Sequence, residues 1–125
     1  MAEENSGIIL IVDDETDLCW ALDRILKQVG FQTVSAGSAQ EALSLMGRGP
    51  FRLAFIDAML PDMAGYDLAL RLRQLQPGLP VILISGYYYS GDGLLQQWLA
   101  SNAICGFIGK PFLLEEVRET TLHLA

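Results

Sequence analysis

Ile8-Ile9-Leu10-Ile11-Val12-Asp13-Asp14 is an unbroken apolar run that ends in two carboxylates. Five apolar side chains in succession, with no polar alternation, suit a central strand covered on both faces. Three other runs share this form. Leu53-Ala54-Phe55-Ile56 leads into Asp57, Val81-Ile82-Leu83-Ile84 into Ser85, and Gly106-Phe107-Ile108-Gly109 into Lys110-Pro111. As parallel strands of one sheet, they would place all four polar ends on its carboxyl edge, where ligands bind in open α/β sheets. One crevice would then gather three carboxylates, a hydroxyl and an ammonium, a set suited to a divalent metal and a phosphoryl group.

The intervening stretches carry helical period, so the chain reads as repeated βα units around a parallel sheet. Leu18, Leu22, Ile25 and Val29 stripe a helix from about Glu15 to Gln28, stopped by Gly30. Phe31 to Ala36 is expected as the second strand. Ser38-Ala39-Gln40-Glu41 has the form of a capping box. It opens a helix with Ala39, Ala42, Leu43 and Met46 on one face, ended by Gly47, Gly49 and Pro50. A third helix shows Leu68, Leu72 and Leu75, and Gln76-Pro77-Gly78-Leu79-Pro80 breaks it. Gly86 to Gly93 is loop-like. A short fourth helix carries Leu94, Leu95, Trp98 and Leu99, and the last helix runs from about Leu113 to the end. The expectation is five strands and five helices in a single domain, residues 1–125, with no effector domain.

A chain of 125 residues has room for one real core. Its 51% hydrophobic content argues against disorder. The net charge of -7, with eight scattered basic residues, argues against a nucleic-acid binder, which needs clustered Lys and Arg. No apolar run approaches a membrane span, and Met1-Ala2-Glu3-Glu4-Asn5 has neither the basic nor the apolar region of a signal peptide. A cytoplasmic location without membrane contact is therefore expected. Cys19 and Cys105 lack metal-ligand spacing and are expected to be reduced and partly buried.

The chemistry centres on Asp57, the candidate nucleophile, because a carboxylate can attack a phosphoryl group to give an acyl phosphate. Asp13 and Asp14 would repel it unless a cation intervened. Mg²⁺ prefers oxygen ligands and keeps waters, so two carboxylates, a carbonyl and a phosphoryl oxygen would satisfy it. Lys110 can neutralise another phosphoryl oxygen, and the Ser85 hydroxyl can donate to a third. Gly86 leaves space beside Ser85. Taken singly, each residue has an ordinary structural reading as a turn, a strand end or a surface lysine. Their placement on the ends of four strands is what singles them out.

Ile11-Val12-Asp13-Asp14-Glu15, Ile56-Asp57, Leu60-Pro61-Asp62-Met63-Ala64-Gly65, Ile84-Ser85-Gly86 and Gly106-Phe107-Ile108-Gly109-Lys110-Pro111-Phe112 together resemble the receiver domain of two-component response regulators. The resemblance covers almost the whole chain, with five motifs in order. It implies a flavodoxin-like, doubly wound parallel sheet of order 2-1-3-4-5. It also implies that Asp57 takes a phosphoryl group from a phosphohistidine on a sensor histidine kinase or histidine phosphotransfer protein. Asp14 would ligate Mg²⁺ directly, Asp13 mainly through water, and Met59 through its backbone carbonyl. Ser85 and Phe107 would form the conformational switch, and the Lys110–Pro111 peptide would be cis. Such a domain catalyses only its own phosphorylation and dephosphorylation. Parts of the sequence are also similar to receivers fused to hybrid sensor histidine kinases.

Some positions depart from the commonest family pattern. Phe107 stands where Tyr is frequent, so switching would be steric. Tyr87-Tyr88-Tyr89 is an unusual aromatic cluster just past the site. Met59 and Tyr87, two residues beyond the nucleophile and the hydroxyl, carry no group to orient a water and are expected to shield the phosphoryl group. Three rival readings fare worse. A haloacid dehalogenase-type hydrolase resembles Asp-x-Asp after its first strand, but here Met59 removes the second Asp. In a flavodoxin-like cofactor binder, Asp13-Asp14-Glu15 would repel the phosphate. A degenerate docking receiver would not be expected to keep the site residues intact.

Overall fold

The computed structural model describes residues 7–86, 97, 100, 101 and 103–125. Five parallel strands form one sheet in the order β2-β1-β3-β4-β5. They are β1 (Ile8–Val12), β2 (Gln32–Ala36), β3 (Leu53–Asp57), β4 (Val81–Ser85) and β5 (Gly106–Gly109). Among the described residues there are four α-helices: α1 (Thr16–Gln28), α2 (Ala39–Ser44), α3 (Gly65–Leu75) and α4 (Leu114–Leu124). A 3₁₀ turn, Met46–Arg48, follows α2.

The unbroken apolar strands are explained by the two cores they serve. On β1, Leu10 and Val12 point to one face and Ile9 and Ile11 to the other, as the two-residue side-chain period requires. The first face joins Ala54, Ile56, Val81 and Leu83 to Ala39 and Ala42 of α2 and Leu68, Ala69 and Leu72 of α3. The second joins Leu53, Phe55, Ile82, Ile84 and Ile108 to Leu22, Ile25 and Leu26 of α1 and Val117 of α4. The edge strand β2 is more polar and exposes Gln32 and Ser35. Among the described residues, no helix is long and apolar enough to cross a membrane.

Several boundaries and placements differ from expectation. Phe31 precedes β2; its amide bonds the Leu26 carbonyl at the end of α1, and its ring is buried. Leu75, expected on the buried stripe of α3, is 60% exposed. The helix ends there, and the Gln76 side chain grips the backbone of Phe51 with bonds of 2.9 and 2.7 Å. Leu79, just beyond the break, is the residue that enters the core. Cys105 is exposed in the turn before β5, not partly buried, whereas Cys19 is half-buried as expected. Lys110–Pro111 is cis as expected, and Gly49–Pro50 is also cis. The expected fourth helix falls largely outside the described residues, as does the Tyr87-Tyr88-Tyr89 cluster.

Candidate functional site

The register of the sheet brings the polar strand ends level with one another. Val12 pairs with Ala36 and with Ile56, Asp57 with Ile84, and Ser85 with Gly109. Each next residue is pinned by its backbone. The Asp13 amide donates to Ala36 at 3.0 Å, Ala58 to Ile84 at 2.8 Å, and Lys110 to Ser85 at 2.8 Å. The side chains of Asp13, Asp57 and Lys110 therefore leave fixed points on the carboxyl edge.

Carboxylate oxygens of Asp13, Asp14 and Asp57 all lie within 4.8 Å of one another. Asp13 and Asp57 are buried and Asp14 is exposed. The Lys110 ammonium sits 3.1 Å from Asp13 Oδ2, 3.5 Å from Asp57 Oδ2 and 2.7 Å from Glu15 Oε1. Asp13 Oδ1 accepts the Glu15 amide at 2.9 Å, and Asp57 Oδ1 accepts the Met59 amide at 3.2 Å. Asp13 Oδ2 is buried with the ammonium close by but no aligned hydrogen bond. It is an acceptor that a cation would satisfy. The donor set is all oxygen and carries three negative charges, which fits a hard divalent ion such as Mg²⁺.

Glu15, Asp57, Met59, Ser85, Gly86 and Lys110 line an open cleft of about 460 Å³ over these groups. Burial pushes the Asp13 carboxyl above its ordinary value, and the Asp57 charge adds to the rise, while the Glu15 amide and Lys110 oppose it. Burial pulls the Lys110 ammonium the other way, toward losing its proton. The close contacts with Glu15 and Asp13 and the charges of Asp13 and Asp57 outweigh that, and the net shift is upward. The lysine is thus firmly cationic. Burial also raises the Cys19 thiol; its sulfur donates to the Asp13 carbonyl at 3.4 Å, which suits an inert packing residue.

The structure brings Asp13, Asp14, Asp57 and Lys110 together, with Ser85 and Met59 lining the same cleft. Phe107 is not among the lining residues. It lies on β5 opposite Leu83, half-buried against the core shared with α2 and α3. Sequence reasoning gave no role to three further residues. Glu15 makes the shortest contact to the Lys110 ammonium. Gly65 starts α3 so close to β3 that a Cβ there would lie 2.2 Å from the Asp57 carbonyl oxygen, so glycine is required for close approach. Asp62 reaches out of the β3–α3 loop to α2. Glu15 could have been suspected as a third acid following Asp13-Asp14, but its pairing with a residue 95 positions away has no local signal.

The profile of the response regulator receiver domain matches residues 9–121. The chain belongs to that family. It is similar to the response regulator protein PilR of Pseudomonas aeruginosa, with 39% identity over 88% of this chain and 24% of that protein. The sensor kinase CckA of Brucella abortus is 31% identical over 95% of this chain and 12% of its own length. The chain thus spans a minor part of these relatives. Among solved structures, the response regulator TrrA of Thermotoga maritima in complex with Mg²⁺ and BeF has a TM-score of 0.80 and 28% identity, covering 95% of this chain and 99% of that one. The family is that of two-component signalling, and this chain carries its receiver fold.

Proposed function

We propose that this domain is a phosphoacceptor, taking a phosphoryl group onto Asp57 from a phosphohistidine on a sensor histidine kinase or histidine phosphotransfer protein. The observation that carries the reading is one ammonium, Lys110, held within 3.5 Å of both Asp13 and Asp57 at the floor of an open cleft. A carboxylate oxygen of Asp57 attacks phosphorus, the phosphorus–nitrogen bond breaks, and the imidazole leaves with the electron pair. Lys110 exchanges its contact with Glu15 for a phosphoryl oxygen, compensating developing charge without reorganising solvent. The Ser85 hydroxyl at the cleft wall donates to another oxygen. Phe107 then repacks as Ser85 moves, and the altered face is what a downstream protein reads.

Asp13, Asp14 and Asp57 would hold Mg²⁺, with the Met59 carbonyl as a further ligand, and the ion would supply charge neutralisation at the phosphoryl oxygens. Support comes from the all-oxygen donor set and from TrrA, a relative described with Mg²⁺ and BeF. The domain turns over no separate substrate; it catalyses only its own phosphorylation and dephosphorylation. Net negative charge disfavours nucleic acid as a direct partner.

The test is mass spectrometry after incubation with acetyl phosphate, with and without Mg²⁺. Wild type is expected to gain one phosphoryl mass only with the metal, and Asp57→Asn none. An Asp57→Asn variant phosphorylated at the wild-type rate would refute the assignment.

A further inference from the structure

The loop between β3 and α3 carries Met59. It is a closed hairpin: Met59 and Ala64 form an antiparallel bridge, Leu60 donates to Met63 at 3.2 Å, and Gly65 donates to Ala58 at 2.8 Å. Its root is fixed by Asp57, and Leu60 and Met63 pack against the core face shared with α2 and α3. The tip is tied to the start of α2 by Asp62. Its Oδ1 accepts the Ala39 amide and its Oδ2 the Gln40 amide, each at 2.9 Å. Both oxygens are used, one for each of the first two amides of α2. The next amide, of Glu41, is taken by Ser38 Oγ at 3.1 Å, so α2 has its own cap and does not depend on Asp62 alone.

The other end of this connection matters. The Ala36 carbonyl, on the strand that leads into α2, accepts the Asp13 amide. A path of contacts therefore runs from Asp57 through the loop to Asp62, across to Ala39, back to Ala36 and on to Asp13, and Lys110, 3.1 Å from Asp13 and 3.5 Å from Asp57, closes it into a ring. Two of the ring's members are the carboxylates of the acidic cluster, and a third, Met59, lines the cleft. We infer that Asp62 is a positioning residue for the metal site: it holds the loop bearing Met59 at a fixed spacing from the Asp13 side of the crevice. The inference rests on the proposed metal reading of the cluster and names a residue outside it.

A Mg²⁺ titration followed by amide NMR shifts tests this, run in high salt so that the lost charge of Asp62 is screened. Asp62→Ala should weaken Mg²⁺ binding by about tenfold, the low end for an outer-shell partner because this tether is solvent-exposed. Asp62→Asn keeps one acceptor oxygen and should fall between. Ser38→Ala loosens the same helix start but leaves the tether, and should bind as wild type does. Asp62→Ala with wild-type affinity overturns the inference, even if its Tm falls. Equal weakening in Ser38→Ala and Asp62→Ala also overturns it, since the cause would then be α2 itself. A wild type that binds no Mg²⁺ would instead remove the metal reading, a result distinct from either.

Discussion

Asp13 and Asp62 are both carboxylates that accept backbone amide protons, yet the protein shifts their acidity in opposite directions. Asp13 lies at the end of a central strand, where burial raises its pKa above the ordinary 3.8 despite the Glu15 amide and Lys110. Asp62 stands exposed at a loop tip, where the Ala39 and Gln40 amides lower it. Hydrogen bonding stabilises the anion in both places, but lost hydration outweighs it only at Asp13. The strand-end carboxylate is therefore a charge held at a cost that Lys110 only partly offsets, whereas the loop-tip carboxylate is already satisfied. A site that binds and releases ligands needs the first kind, and its scaffold needs the second.

The largest expected effect comes from Gly65, which lies against the strand end that bears Asp57 and closes the loop that bears Asp62. Gly65→Ala pushes a methyl against the Asp57 carbonyl, displacing β3 and the start of the loop together. A loss of about 3 kcal/mol is expected, the upper part of the usual overpacking range, read by urea denaturation. An unchanged midpoint would show that α3 can shift without disturbing the site.

Lys110→Met comes next. It leaves Asp13 buried and uncompensated, which costs about 3–5 kcal/mol for a fully buried pair. Here the lysine retains some exposure, so roughly 2 kcal/mol is expected at neutral pH in the absence of metal. Because the native state holds Lys110 above its ordinary value of 10.5, its contribution is intact at neutral pH and is lost only in strong alkali. Equal stability of the two proteins at pH 7 would mean that Asp13 does not depend on this ammonium.

Asp13→Asn should act in the other sense on the metal-free fold. A carboxyl with a raised native pKa contributes stability below its unfolded value, and that contribution is lost as pH rises through the native value. The Asp13 contribution to the stability of metal-free wild type should therefore fall as pH climbs above about 3.8, and the variant should lack that decline. Its Tm at pH 7 should exceed that of wild type, while Mg²⁺ binding weakens by about tenfold or more. A lower metal-free Tm in the variant would break the comparison.

The smallest effect belongs to Asp62→Asn, followed through the acid arm of the stability curve. A lowered native pKa contributes stability above the unfolded value, lost as pH falls through the native one. The variant should be slightly less stable at pH 7, and the gap should close below the ordinary carboxylate value of 3.8. A gap that persists in strong acid would point to packing and not to the carboxylate.

Much of this molecule is legible in its sequence because its signals are local. Unbroken apolar runs in β1, β3 and β4 announced strands buried on both faces, and the polar residue closing each run sits on the expected edge. Half of the expected capping box forms: Ser38 caps α2 by accepting Glu41's amide, while the Glu41 side chain accepts the amide of Gly37, one residue before the cap. Leu75 misled because helical period alone does not say where a helix leaves its sheet. Only the grip of Gln76 on Phe51 decides that Leu79 fills the core instead.

What the sequence by itself determined is the order of elements and the kinds of group delivered to one edge, since strand period and chain direction suffice for both. The tertiary structure alone decided which of those groups touch. Lys110 meets Glu15 more closely than it meets Asp13 or Asp57, and Asp62 meets α2 across more than 20 residues of chain. Such contacts depend on the angles at which helices and loops return to the sheet, and those angles are fixed by packing between elements distant in sequence.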